Sequence, residues 1–116
     1  MSKDYLVQYI ILRTDLKWSK GSLANQVSHA SANCLWKYRD SPNYCTYMEI
    51  PNGAQYAVTL KANDEEFFAL IASLEENKLD HFVWTEQPEN EPTCICVAPY
   101  IKCIIQDHFR HLKLYR

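Results

Sequence analysis

The sequence lacks any apolar run long enough to cross a bilayer, and no secretory apolar segment follows Met1. It also lacks internal repeats and linkers. A chain of 116 residues is long enough for one hydrophobic core and too short for two. We therefore expect a single domain over residues 1–116 with no membrane partner.

The five cysteines are odd in number and lack the spacing of a redox or metal site. There is no Cys-x-x-Cys, and no nearby Cys or His pair completes a metal set with Cys94 and Cys96. An odd count, with four of the five in apolar surroundings, favours reduced, buried thiols in a cytoplasmic protein over a disulfide framework. The sequence therefore predicts no metal and no cofactor, and a thiol-redox function ranks below the alternatives.

The net charge of −2 hides an uneven distribution. Residues 1–39 carry six Lys/Arg against two Asp, and residues 102–116 carry four Lys/Arg against one Asp. Residues 40–101 carry two Lys against eleven Asp/Glu. If the two termini meet in space, they form a basic side that can attract a phosphate backbone. The alternative is that the charges spread over the surface without a coherent field.

The first third of the chain predicts a buried strand, a basic turn and a helix. Residues 5–12, YLVQYIIL, have the β-branched and aromatic content of a buried strand. Residues 13–22 are polar and cationic. From Lys20 to about Tyr38, apolar residues recur at helical spacing.

The basic turn is a candidate anion site. The first N–H groups of a helix lack acceptors within the helix, and the helix dipole adds partial positive charge at that end. Arg13, Lys17 and Lys20 would add full charges there. The alternative is a simple strand–helix connection with solvated lysines.

A polar stripe begins at the same end of the predicted helix. Ser22, Gln26, His29 and Asn33 are spaced four, three and four residues apart, so they share one helix face. Because the stripe starts where an anion would bind, Gln26 and His29 are candidate site residues. The alternative is that both are structural or surface groups.

The rest of the chain alternates strands and helices. We predict a short helix over residues 43–50, a strand over 55–61, a helix over 65–77 capped by Asn63 or Asp64, strands over 81–84 and 93–98, and a helix over 100–109. Two prolines are expected to exclude residues 85–92 from regular structure. This pattern implies an α/β three-layer sandwich with a mixed four-stranded sheet flanked by helices.

The tryptophans bear on nucleic-acid binding, because an exposed ring can stack on a base. Trp18 lies in the basic turn, and we expect it to be exposed. Trp36 and Trp84 fall in a predicted helix and a predicted strand, and we expect them in the core.

These residues together resemble the type 2 peptidyl-tRNA hydrolases of archaea and eukaryotes. The matching segments, in the family's order, are residues 13–17 (RTDLK), 20–21 (KG), 24–30 (ANQVSHA) and 111–115 (HLKLY). Residues 86–90, 93–95 and 99–100 resemble still more the divergent branch called peptidyl-tRNA hydrolase domain-containing proteins. The resemblance covers nearly the whole chain.

The resemblance implies an activity and a partner. Members of the family hydrolyse the ester between a peptide and the 3′ ribose of tRNA, without a metal. The expected partner is therefore tRNA, and since family members are often dimeric, a homodimer is a further expectation. The family's fold is a mixed four-stranded sheet flanked by helices.

The resemblance also assigns site residues. It implies catalytic positions at Lys20, Ser22, His29, Glu86 and Thr93, and it places Gln26 near them. With Arg13 and Lys17 of the basic turn, Gln26 is expected to bind the substrate. Ester hydrolysis needs a positioned water, a base and donors to the developing oxyanion. Glu86 or His29 would orient the water. No Gly-x-Ser-x-Gly elbow surrounds Ser22, which argues against a covalent intermediate.

Two positions depart from the family pattern. Ser22 stands where the family has a second lysine, and Glu86 stands where it has an aspartate, so one positive charge is lost and a carboxylate is kept on a longer arm. The alternative function is therefore a non-catalytic tRNA-binding or protein-interaction module that kept the fold. Glu86, Glu89 and Glu91 support this alternative because they would repel phosphate.

Overall fold

The computed structural model describes residues 5–116, so the charges of Lys3 and Asp4 lie outside the described residues. The strands are β1 (Leu6–Arg13), β2 (Tyr56–Ala62), β3 (His81–Glu86), β4 (Glu91–Val97), β5 (Tyr100–Ile101) and β6 (Lys113–Leu114). The α-helices are α1 (Lys20–Lys37), α2 (Pro42–Met48), α3 (Asp64–Glu76) and α4 (Lys102–Ile105). Short 3₁₀ turns occupy Pro51–Gly53 and Gln106–Phe109.

The strands of the described chain form one mixed sheet in the order β3-β4-β1-β2-β6, with β5 also pairing with β1. β1 and β2 are parallel, and the other pairs are antiparallel. The predicted α/β architecture with a mixed sheet is confirmed, and its four main strands are β1 to β4. The sheet is larger than predicted because β5 and β6, at two residues each, are too short to show an alternating pattern.

β1 is buried along its whole length, which is why it reads as a continuous apolar run. One face of the sheet packs on the apolar stripe of α3, formed by Phe67, Leu70 and Leu74. The other face packs on Leu23, Ala30 and Cys34 of α1. On that second face α1 lies over β1, β3 and β4, so β2 and β6 are left uncovered beside it.

The interpretation of residues 85–92 as an irregular loop is wrong at both ends. β3 runs to Glu86 and β4 begins at Glu91, so only residues 87–90 form the turn. Pro92 fits in β4 because pairing with β1 begins only at Cys94 and the β3 ladder shifts register beside Trp84. A proline is tolerated at such a strand end.

Two further expectations are wrong. The helix predicted over residues 100–109 is divided into β5, α4 and a 3₁₀ turn, because the backbone of β5 pairs with Leu6 and Val7 of β1. Trp36 is 67% exposed instead of buried, since its helical position lies off the apolar stripe of α1. The Arg39 guanidinium stacks on the Trp36 ring, with 3.9 Å between the guanidinium carbon and the ring centroid.

Within residues 5–116, no helix is long and apolar enough to cross a bilayer.

Of the two predicted caps of α3, Asn63 is the one observed, and it forms a complete capping box. The Asn63 side chain accepts the Glu66 N–H at 2.8 Å, and the Glu66 carboxylate accepts the Asn63 N–H at 2.9 Å. Two N–H groups of the first turn that have no helical acceptor are thereby paired.

We expect Asn63→Ala to lower the free energy of unfolding by about 1 kcal/mol, because the cap is lost. Chemical denaturation of both proteins measures the difference. Asn25→Ala is the matched control, since Asn25 is exposed inside α1 and alanine is a better helix former. An equal loss in both variants would show that the capping box contributes nothing specific.

Candidate functional site

The candidate residues gather at one edge of the sheet. β1 and β2 are parallel, and β3 points the same way because β3 and β1 are both antiparallel to β4. These three strands therefore end at the edge where β4 and β6 begin. Arg13 and Glu86 lie at strand ends there, Thr93 lies near the start of β4, and α1 begins close by at Lys20.

The N-terminus of α1 is capped by Ser19 and carries no acidic residue in its first turn. The Ser19 hydroxyl accepts the Ser22 N–H at 3.2 Å and donates to the Ser22 hydroxyl at 3.1 Å. Lys20 is exposed at the first helical position. The helix end therefore keeps its positive partial charge, with Lys20 as a full charge beside it.

The turn before α1 is bonded to the neighbouring strand β2 at its first residue. Its first residue, Thr14, donates its N–H to the Ala62 carbonyl of β2 at 3.1 Å. Lys17 adopts a left-handed backbone with φ of 57°, an unusual conformation for a residue with a side chain. Lys17 is exposed, so its ammonium is available to an anion arriving at this edge.

The Arg13 guanidinium is buried in a cluster of partners. Its Nε and Nη2 donate to the two carboxylate oxygens of Asp15, at 3.1 and 2.7 Å. Its Nη1 donates to the Glu91 carboxylate and to the Pro92 carbonyl, the latter at 3.0 Å. The guanidinium also lies 5.3 Å from the centre of the Phe68 ring. Arg13 thereby ties the basic turn and the start of β4 to the end of β1.

The Arg13–Asp15 pair shifts the pKa of both of its members. The hydrogen bond from Arg13 lowers the pKa of Asp15 below its ordinary value of 3.8, and burial opposes this only in part. The same hydrogen bond raises the pKa of Arg13. Both groups are therefore charged at neutral pH.

Gln26 and Thr93, predicted from distant parts of the sequence, meet inside the protein. The Thr93 hydroxyl donates to the Gln26 side-chain oxygen at 2.8 Å. Only 2% of Gln26 and 1% of Thr93 are exposed. The bond joins α1 to β4 beneath the surface, so these two residues fix the helix against the sheet.

His29 and Glu86 are linked through a residue that sequence reasoning did not assign to the site. The His29 ring stacks on Trp84 with 4.6 Å between centroids, and the Trp84 indole N–H donates to the Glu86 carboxylate at 2.8 Å. Trp84 is half-buried, not in the core as expected. Trp84 could have been assigned to the site from the sequence, because it lies two residues before Glu86 and therefore on the same face of the strand.

Lys20 lies on the other flank of α1 from His29. It lines an open groove of about 620 Å³ between α1 and the uncovered strands β2 and β6, together with Thr59 and Tyr115. The eight predicted residues thus do not share one cavity. Sequence reasoning missed Thr59, and it treated Tyr115 only as part of a terminal motif.

The site therefore belongs to an α/β domain with a basic helix N-terminus and a carboxylate at the same sheet edge. The class of protein follows from a match to a known family. The family model for "Peptidyl-tRNA hydrolase PTH2" matches residues 6–115. The chain belongs to the PTH2 peptidyl-tRNA hydrolase family.

Individual relatives agree with this assignment. The chain is 36% identical over 117 aligned residues to the human "Putative peptidyl-tRNA hydrolase PTRHD1", covering 96% of this chain and 83% of the relative. It is 33% identical to a peptidyl-tRNA hydrolase of Thermococcus sibiricus, covering 92% and 95%. The resemblance to the family and to its divergent branch is confirmed.

A solved structure shows the same fold at low identity. A protein of unknown function from Agrobacterium tumefaciens superposes with a TM-score of 0.69 at 11% identity, covering all of both chains. At this identity the likeness shows the fold alone.

We expect Asp15→Asn to lower the free energy of unfolding at neutral pH by roughly 1–3 kcal/mol, because a charged hydrogen-bond acceptor of Arg13 is lost. Since the folded-state pKa of Asp15 is depressed, its contribution is present above pH 3.8 and is lost as the pH falls through the folded-state pKa. Denaturation of both proteins across this acid range measures the difference.

The matched control is Asp107→Asn, which breaks the exposed ion pair with Arg110. That variant is expected to stay within about 0.5 kcal/mol of the wild type. A loss in Asp15→Asn that does not shrink on acidification would contradict the assigned pKa shift.

Proposed function

We propose that this protein is a peptidyl-tRNA hydrolase that cleaves the ester between a peptide and the 3′ ribose of tRNA, without a metal. The observation that carries the proposal is Lys20, which stands at the acid-free N-terminus of α1 beside an open groove. The names of its relatives support the substrate class. A cytoplasmic location is part of the proposal.

The reaction requires water to attack the ester carbonyl carbon. In this proposal Glu86 accepts a proton from the water, and the Trp84 indole holds the carboxylate in place. The new C–O bond forms a tetrahedral oxyanion, the bond to the ribose oxygen breaks, and that oxygen takes up a proton. His29, stacked on Trp84, supports this side of the site.

The positive groups hold the substrate and its developing charge. Lys20 and Lys17 bind the ribose–phosphate end, assisted by the helix N-terminus. The Ser22 hydroxyl accepts a hydrogen bond from Ser19, so its own proton is available to the carbonyl oxygen. Gln26 and Thr93 act as positioning residues, because their bond sets where the helix begins.

Arg13 has a different proposed role from the substrate contact expected from the sequence. Each guanidinium nitrogen donates to Asp15, Glu91 or Pro92. We therefore assign Arg13 to positioning the turn that carries Lys17.

A homodimer stays a prediction from the family resemblance, and light scattering of the purified protein tests it.

A specific observation favours the non-catalytic alternative, a tRNA-binding or protein-interaction module. Ser22 brings no charge to the helix end, and its backbone and hydroxyl both serve the cap with Ser19. Glu89 in the β3–β4 turn is exposed and would repel a phosphate at this edge. This alternative predicts RNA binding without turnover, or no RNA binding.

The test is release of labelled amino acid from an N-blocked aminoacyl-tRNA. We expect turnover by the wild type and a loss of kcat of about 100-fold or more in Glu86→Gln, which keeps the Trp84 acceptor but removes the base. Lys20→Ala is expected to lower kcat/KM by about tenfold or more.

The alternative is separated by Ser22→Lys, with Ser28→Lys as the matched control because Ser28 is exposed further along α1. Turnover that appears only in Ser22→Lys would establish the non-catalytic function for the natural chain. Full activity in Glu86→Gln would overturn the assignment of the base.

A further inference from the structure

The groove beside α1 has a neighbouring cavity at the edge of the sheet. A second cavity of about 220 Å³ is lined by Thr14, Lys61 and Lys113, among others. Each of these residues lies two positions along the chain from a residue of the larger groove, Leu12, Thr59 and Tyr115. Residues two apart on a strand share a face and are separated by roughly 6–7 Å. The lysine side of the smaller cavity therefore lies on the same sheet face as the larger groove, while its other side belongs to the start of α3. We call the sheet face from Tyr115 to the two lysines the path.

Lys61 and Lys113 face each other on this path. They are register partners on the antiparallel strands β2 and β6, so their side chains leave the same face as direct neighbours. Like charges in that position are destabilising. An anion bound between them would remove the repulsion.

No acidic side chain forms an ion pair with either lysine among the described residues. The ion pairs of residues 5–116 join Arg13 to Asp15 and Glu91, and Arg110 to Asp107. Glu66 also lines the smaller cavity, where one oxygen of its carboxylate accepts the Asn63 N–H in the cap of α3. Its single negative charge offsets one of the two lysine charges, so the lysine end of the path keeps a net positive charge.

The larger groove offers an aromatic surface. Tyr115 is 37% exposed, and its N–H donates to the Thr59 carbonyl at 2.9 Å, which fixes its backbone to β2. The opposite wall consists of the small side chains of Ala24 and Val27 of α1, with Lys20 at the top. A flat ring could enter between Tyr115 and this wall.

We propose that this path binds the single-stranded 3′ end of tRNA, with phosphates at Lys61 and Lys113 and a base stacked on Tyr115. A cationic groove with an exposed aromatic ring is the arrangement by which proteins bind single strands. The inference rests on the proposed function, because a terminal nucleotide in the larger groove brings its ribose to Lys20. The HLKLY segment thereby gains a role, as it supplies both Lys113 and Tyr115.

An extended peptide is the competing occupant, and the charges favour RNA. Lys20, Lys61 and Lys113 would be neutralised by successive phosphates of a nucleotide chain. A neutral peptide backbone would leave the lysine pair unbalanced. The peptide part of the substrate is then directed to the other flank of α1, towards His29 and Glu86.

The test is binding of a fluorescein-labelled single-stranded RNA of sequence ACCA, measured by anisotropy over a series of KCl concentrations. In Lys61→Gln/Lys113→Gln we expect affinity to fall roughly tenfold, and the slope of log K against log salt to become less steep by about 1.4. The matched control is Lys37→Gln/Arg110→Gln. Lys37 lies at the far end of α1, and Arg110 lines a cavity on the opposite face of the sheet. This control should bind ACCA like the wild type.

Stacking is tested separately at Tyr115. Tyr115→Ala is expected to weaken binding roughly 5- to 150-fold, and Tyr115→Phe to keep it, because phenylalanine retains the ring. Thermal unfolding checks the fold of each variant. The double glutamine variant should melt no lower than the wild type, since it removes a repulsion.

The outcomes separate this inference from the proposed function. Loss of ACCA binding in the double glutamine variant and in Tyr115→Ala, without turnover by the wild type, would uphold the groove and reject the enzyme. Turnover with unchanged ACCA binding in both variants would uphold the enzyme and overturn the groove. Binding of AMP as tight as that of ACCA, or a raised KM only for substrates with longer peptides, would also overturn it.

Discussion

The buried charge of Arg13 is the constraint on which the candidate site depends. A guanidinium with 5% exposure is tolerated only if its donors are matched, and the matching groups come from the turn before α1 and from the start of β4. Asp15 belongs to the turn that leads into α1, and Glu91 begins the strand that carries Thr93. One cation thus holds the Lys17 turn and the Glu86 hairpin at the end of β1. The Phe68 ring closes the cluster from α3.

The parts of the fold that local signals determine could be predicted from sequence. β1 reads as a buried run, α1 and α3 show helical spacing, and Asn63 caps α3 as its residue type indicates. The rest depended on distant partners. β5 pairs with β1 where a helix was expected, because sheet pairing overrode the local pattern. In the site, the sequence left Gln26 open as a site residue or a structural or surface group, because its partner Thr93 lies 67 residues further along the chain.

α1 divides the site into two flanks that meet at its N-terminus. One flank carries the stacked His29 and Trp84 with Glu86, and the other carries Lys20 and the groove towards Tyr115. A substrate with a peptide at one end and a nucleotide at the other matches such a division. In the proposal, the ester lies across the helix end, where the backbone N–H groups are. Ser22 then lies in the first turn of the helix, with its N–H bonded to the cap residue Ser19.

The buried hydrogen bond between Gln26 and Thr93 fixes the position of α1 along its own axis. A polar pair in apolar surroundings is matched in only one position of the helix along the sheet. A slide by one turn, about 5.4 Å, would leave both groups unpaired, at a cost of roughly 1–3 kcal/mol for each. The pair therefore fixes how far the N-terminus of α1 extends beyond the edge of the sheet. This distance in turn determines the positions of Lys20 and Ser22 relative to that edge.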